Sequence, residues 1–177
     1  MNITVYLGAN PGNSEKLHSA IAELGSFIGN RGDTLIYGGS KSGLMGVLAD
    51  HVLAAGGQVI GVEPQMFIDR ELQHDRLTEL IVTKDMAQRK AKMIGLGDAF
   101  IAFPGGTGTL EEISEVMSRV SMGLMDSPCI LYNLDGYYDG LKALLETMIS
   151  YELSSEERQK NIRFAKDITE IEKYLSA

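Results

Sequence analysis

Short apolar runs alternate along this chain with longer segments whose apolar residues recur every three or four positions. The runs at 3–7, 34–37, 58–62, 79–83, 99–103 and 129–132, with a weaker one near 162–165, are apolar on consecutive positions. A strand reads that way when both faces of its sheet are covered. Leu17, Ile21, Leu24 and Ile28 put one apolar face on a helix over 14–30. Further helices are expected over 44–55, closed by Gly56-Gly57, and over 86–96, 109–122 and 137–151. Asp167, with Glu170 three residues on, is close to a capping box and opens a terminal helix. Strand–helix alternation implies an α/β fold, a Rossmann-like doubly wound parallel sheet of six or seven strands with helices on both faces. With no repeat, low-complexity stretch or linker, residues 1–177 are expected to form a single domain.

Ligands of such sheets bind at the carboxyl ends of the strands. Glycine collects there. It makes up 20 of the 177 residues, about 11% against a usual share of roughly 7%. Gly8-Ala9-Asn10-Pro11-Gly12 follows the first strand, and Gly38-Gly39-Ser40-Lys41-Ser42-Gly43-Leu44-Met45-Gly46 follows the second. Pro104-Gly105-Gly106-Thr107-Gly108-Thr109-Leu110-Glu111-Glu112 follows the fifth. Glycine lets backbone N–H groups approach a ligand closely, and a helix start just downstream favours an anion. Two such loops can enclose one phosphate, with Thr107 and Thr109 adding hydroxyl donors. A set of tight turns that bind nothing is the plain alternative. Neither a P-loop nor the dinucleotide Gly-x-Gly-x-x-Gly pattern is present, and the second strand ends in Gly38-Gly39 instead of an acid, which disfavours redox use of NAD.

Composition narrows the partners. A net charge of −8 argues against polymeric nucleic acid, which needs a basic face. The one cysteine, Cys129, begins an apolar strand and reads as a core residue. No Cys/His cluster has zinc-site spacing, so no metal is expected. No apolar run approaches the roughly 20 residues of a membrane span, and Met1-Asn2-Ile3-Thr4-Val5 carries no basic leader region. A soluble cytoplasmic protein is expected.

Charged residues lie beside the glycine loops. Glu111 and Glu112 fall in the first turn of the expected 109–122 helix, where acids stabilise the helix terminus. That suffices for Glu111; Glu112, one turn below the loop, can also face a ligand. Arg89 and Lys90, early in the 86–96 helix, are either a solvated basic pair or a donor set for phosphate. Glu71, after the third strand, is by itself an ordinary surface acid. Met117, Met122 and Met125 read as packing residues that can also mark a subunit interface.

Three separated motifs carry a family resemblance in order and spacing. They are Tyr37-Gly38-Gly39-Ser40 with Gly43-Leu44-Met45-Gly46, then Met86-Ala87-Gln88-Arg89-Lys90, then the run from Pro104 to Glu112. Together they resemble the LONELY GUY (LOG) family, cytokinin riboside 5'-monophosphate phosphoribohydrolases long labelled as lysine decarboxylases. The resemblance implies a Rossmann-like fold, a homodimer with active sites near the interface, and no cofactor. It also implies a nucleoside monophosphate substrate, AMP or its N6-prenylated form. Water would cleave the N-glycosidic bond to free the base and ribose 5-phosphate. The family's essential arginine and glutamate fall on Arg89 and Glu112. Its substrate contacts fall on Gly39, Ser40, Gly43, Glu71, Lys90, Gly105, Gly106, Thr107, Gly108, Thr109, Leu110, Glu111 and Ser118. The chain departs at Ala87, where the family often has His, at Arg119, where Trp is common, and at Ser40, where a third glycine is frequent.

Cleaving an N-glycosidic bond develops positive charge on the sugar, which a carboxylate beside the ribose offsets. Glu112 suits that role, and Arg89 suits the phosphate or the departing base. A nucleotide or cofactor carrier without hydrolase activity is the main rival. A pyridoxal-phosphate decarboxylase lacks any evident lysine context here.

Overall fold

The structure, a computed structural model, describes residues 1–70 and 72–176. The elements run β1 (Asn2–Tyr6), α1 (Glu15–Asn30), β2 (Thr34–Tyr37), α2 (Gly43–Ala54), β3 (Gln58–Pro64), α3 (Gln65–Ile68), β4 (Glu79–Thr83) and α4 (Met86–Leu96). Then come β5 (Ala99–Ala102), α5 (Thr107–Ser121), β6 (Cys129–Tyr132), α6 (Asp139–Ser150), α7 (Glu156–Gln159), β7 (Ile162–Ala165) and α8 (Ile168–Leu175). The strands form one seven-stranded sheet in the order β4-β3-β2-β1-β5-β6-β7. Every pairing is parallel. The expected doubly wound α/β sheet is therefore present, and the weak run at 162–165 is its seventh strand.

Helices cover both faces because each strand feeds side chains alternately to two cores. Ile3 and Val5 join Ile21, Leu24 and Ile28 of α1 and Leu48 and Val52 of α2 on one face. Tyr6, Ile36 and Val62 join Met93 of α4 and Ile113 and Val116 of α5 on the other. Cys129 is fully buried in this second core, and burial pushes its thiol well above the ordinary range. Part of the glycine excess serves packing. A Cβ at Gly25 would come within 2.7 Å of the Leu48 carbonyl, and one at Gly29 within 2.6 Å of the Val52 carbonyl. The α1 and α2 backbones meet through those gaps.

The topology decides where a ligand can sit. β1 lies between β2 and β5, so the chain winds outward to β4, returns across β1, and winds outward again. The loops after β1 and β5 emerge side by side at this reversal, the usual ligand crevice of such sheets. Side-chain caps set four helix starts among the described residues: Ser14 accepts from Lys16 N, Asp85 from Gln88 N, Ser155 from Arg158 N and Asp167 from Glu170 N. Two helix starts differ from expectation by more than one residue. α6 begins at Asp139 rather than 137, because a 3-10 turn over Leu134–Gly136, with left-handed Asp135 and Gly136, occupies the approach. α5 begins at Thr107 rather than 109, with Gly106 as its cap. The buried Thr109 packs against Gly105, leaving no room for a Cβ there, and this contact pins the turn.

Candidate active site

The early start of α5 corrects the reading of its acids. Glu111 and Glu112 lie in the second turn, and the first turn holds no acid. They therefore do not serve the helix terminus. They meet two consecutive residues of α4 instead. Arg89 Nη1 donates to Glu112 Oε1 at 2.5 Å, with both residues buried. Next to that pair, Lys90 Nζ donates to Glu111 Oε1 at 2.5 Å on the outer, more exposed side, and lies 3.6 Å from Glu115. Arg89 is thus no solvated surface cation. It is fixed a second time, since its Nε donates to the Val62 carbonyl at 2.9 Å.

Two polar atoms of the buried pair are left over. Glu112 Oε2 and Arg89 Nη2 make no hydrogen bond within the described residues, yet neither is among the sealed, unpartnered atoms. Among the described residues, the pair thus leaves a carboxylate oxygen and guanidinium N–H groups unpaired. Burial pushes the Glu112 carboxyl above its ordinary value, and the Arg89 guanidinium opposes that push. Tyr6, at the carboxyl end of β1, closes the floor; burial first, then the Glu112 charge, raises its hydroxyl far above the ordinary range.

The glycines of the loops divide into two kinds. A Cβ on Gly38 would come 2.5 Å from Arg89 Nη2, and one on Gly39 2.7 Å from Glu63 Cγ. Gly43, at φ +53°, leaves no room for a Cβ against the Ala9 carbonyl. Gly46 is closed off in the same way by the Lys41 carbonyl. These positions, with Gly105, are glycine because protein atoms fill the space. Gly106 and Gly108 face open space, and a Cβ on either would meet no atom of the described residues within 4 Å. They open α5, where the first N–H groups have no intrahelical partner. Of these loop glycines, Gly106 and Gly108 leave space open at the start of α5, whereas Gly39, Gly43 and Gly105 are hemmed in by protein atoms.

The other expected contacts sort likewise. Thr107 and Leu110 are exposed beside the loop and line a cavity of about 390 Å³ with Tyr137, Tyr138 and Leu141. Tyr137 donates its hydroxyl to the Gly105 carbonyl at 2.5 Å. Thr109 faces inward. Ser40 is buried, and its hydroxyl accepts from Ser42 N at 3.1 Å, so it holds the turn before α2. Ser118 lies near the far end of α5 and lines a separate hollow with Met122, Met148 and Leu153. Helical geometry sets it almost two turns from Glu112. Glu71 lies outside the described residues. Among those residues, no cluster of His, Cys, Asp or Glu is placed to hold a metal ion.

Sequence reasoning missed Glu63. It ends an apolar strand, where a carboxyl has no pattern to announce it. The residue is only 1% exposed. Burial pushes its carboxyl up to about 6, and Arg89 pulls the other way. The folded protein then binds this proton more tightly than the unfolded chain, so stability falls as pH rises from about 4.5 through 6. The loss is about 2 kcal/mol. In Glu63→Gln, thermal melts at pH 5 and pH 8 are expected to lack that part of the decline.

The comparisons with known proteins fit this geometry. A family model described as "Possible lysine decarboxylase" matches residues 45–175. A cytokinin riboside 5'-monophosphate phosphoribohydrolase of Rhodococcoides fascians is 46% identical over 146 residues, 82% of this chain and 74% of that protein. The chain belongs to the LOG family. An Arabidopsis thaliana LOG protein named for the same activity is 40% identical over 83% of this chain and 69% of its own length. A rice LOG relative is 42% identical over 81% of this chain, which spans only 65% of that longer protein. Among solved structures, a molybdenum cofactor carrier protein of Chlamydomonas reinhardtii superposes with a TM-score of 0.73 at 21% identity, covering 99% of this chain and 98% of that one. The molybdenum cofactor binding protein of Rippkaea orientalis gives 0.71 at 23%, covering 99% and 97%. At such identities these two structures share the LOG fold with this chain.

Proposed function

We propose that this protein hydrolyses the N-glycosidic bond of nucleoside 5'-monophosphates, AMP or its N6-prenylated forms, to the free base and ribose 5-phosphate. The observation that carries this reading is the buried Arg89–Glu112 pair, whose Glu112 Oε2 and Arg89 Nη2 have no partner among the described residues. The names of the LOG relatives supply the substrate class. The 5'-phosphate sits against Gly106 and Gly108 at the start of α5, which fixes the sugar. Glu112 Oε2 accepts from a ribose hydroxyl or from the attacking water and offsets the positive charge that develops on the sugar. The water oxygen bonds to the anomeric carbon, the carbon–nitrogen bond breaks, and the base leaves with its electron pair and a proton. Arg89 Nη2 stabilises the phosphate or the negative charge developing on the leaving base.

A second copy of the chain completes the molecule in this reading. Val82 of the edge strand β4 and Met86 at the start of α4, the helix that carries Arg89, are 46% and 37% exposed. No helix of the described residues is long and apolar enough to cross a membrane.

Incubation with AMP, GMP, CMP and prenyl-AMP, followed by chromatography of free bases, tests the reading. Release of adenine or prenyladenine in equal amount with ribose 5-phosphate is expected. Nucleotide bound but recovered intact would establish a carrier instead.

A further inference from the structure

Glu63 is a buried acid with an unmet hydrogen-bonding demand. Its Oε2 is sealed from solvent and has no partner among the described residues. Leaving such an atom unpaired costs about 1–3 kcal/mol, more for a charge. An apolar residue of similar volume would avoid that cost at the end of an otherwise apolar strand. Nothing in the packing of β3 requires a carboxyl there.

Its surroundings tie it to the site. The carbonyl of the preceding residue, Val62, receives Arg89 Nε. The Glu63 side chain lies over Gly39, and the neighbouring Gly38 makes room for Arg89 Nη2. Glu63 and Glu112 therefore flank one guanidinium, from β3 and α5 respectively. The titratable groups facing Glu63 among the described residues are Arg89 of α4 and Tyr37 of β2, with Asp50 of α2 beyond Tyr37. β4 contributes the Thr83 hydroxyl, which donates to the Glu63 carbonyl at 3.4 Å.

We propose that Glu63 is a positioning residue that acts through Arg89 and sets the affinity of the site for the nucleotide's phosphate. This rests on the reading of Arg89 and Glu112 as substrate-facing groups. With Glu63 protonated, the buried set Glu63–Arg89–Glu112 is neutral, because Arg89 balances Glu112. With Glu63 ionised, the set carries one negative charge and opposes the incoming phosphate. Its titration near pH 6 places this change within the working range. The loss of affinity expected across that range is about tenfold.

The test compares wild type with Glu63→Gln, which keeps the volume and removes the charge. Binding of ribose 5-phosphate is measured by calorimetry, and kcat and KM for AMP are measured, at steps from pH 5 to pH 8. The phosphate itself titrates near pH 6, but equally for both proteins, so the ratio of their affinities isolates Glu63. That ratio is expected to be near one at pH 5 and to rise to about ten in favour of Glu63→Gln at pH 8. The change falls in KM, with kcat of the two proteins within a few-fold. A ratio independent of pH, or weaker binding by the variant at every pH, overturns the proposal. Glu63→Met, with no charge and no amide, should give the same rising ratio if Glu63→Gln folds poorly. AMP bound but not cleaved removes the hydrolase reading, and the binding ratio still decides the role of Glu63. AMP cleaved with a flat ratio removes only the present proposal.

Discussion

Glu112→Gln is expected to fold like the wild type and to lose about 100- to 10,000-fold in adenine release from AMP. The amide oxygen can still accept from Arg89 Nη1, so the contact between α4 and α5 survives, while the charge that offsets the developing positive sugar is gone. Arg89→Ala is expected to be equally inactive for a different reason. It leaves Glu112 buried without its cation, a penalty of about 3–5 kcal/mol. For a chain of this size that lowers Tm by roughly 6–20 °C. The double variant Arg89→Met/Glu112→Leu fills the same space with apolar groups and should recover most of the stability while remaining inactive. Thermal melts beside an adenine-release assay separate the three. Full activity in Glu112→Gln would remove Glu112 from the chemistry. Failure of the double variant to recover stability would mean that the pair holds α4 on α5 by more than its charges.

The glycines give the second large contrast. Gly43→Ala places a Cβ on the Ala9 carbonyl, at a backbone angle that L residues avoid. Backbone cannot yield as a flexible side chain can, so a destabilisation above about 3 kcal/mol is expected, with the α2 start displaced. Gly108→Ala meets nothing. It sits inside a helix, where alanine is preferred by about 0.5–1 kcal/mol, so Tm should hold or rise. Its added methyl nevertheless enters the space assigned to the phosphate. The expected result is a well-folded protein whose KM for AMP is raised about ten- to a hundredfold. Unchanged AMP kinetics in Gly108→Ala would move the phosphate away from the start of α5. A stable Gly43→Ala would return that loop to the ligand contacts.

Both contrasts turn on neighbours that lie far along the chain. The elements themselves were legible because their signals are local. Consecutive apolar positions marked 34–37, 79–83 and 129–132, and those strands end where expected. Asp167 caps the helix that its position announces. Boundaries moved where a tertiary contact overrode local preference, as at Thr107, where Thr109 packed on Gly105 draws the helix start forward.

Sequence alone determined the alternation of strands and helices and the family, and it named the carboxyl edge, Arg89 and Glu112 as candidates. Tertiary structure decided what each of them touches. Only the fold brings α4 against α5, so that Arg89 is buried and Glu111 is taken by Lys90. Only the fold divides the glycines into those that admit Arg89, Glu63 or a backbone carbonyl and those that stay open. Only the fold shows Glu63 buried beside Arg89. The physical reason is common to all three. Burial, close approach and the partnering of charges depend on which distant residues share a small volume, and no spacing along a single chain encodes that.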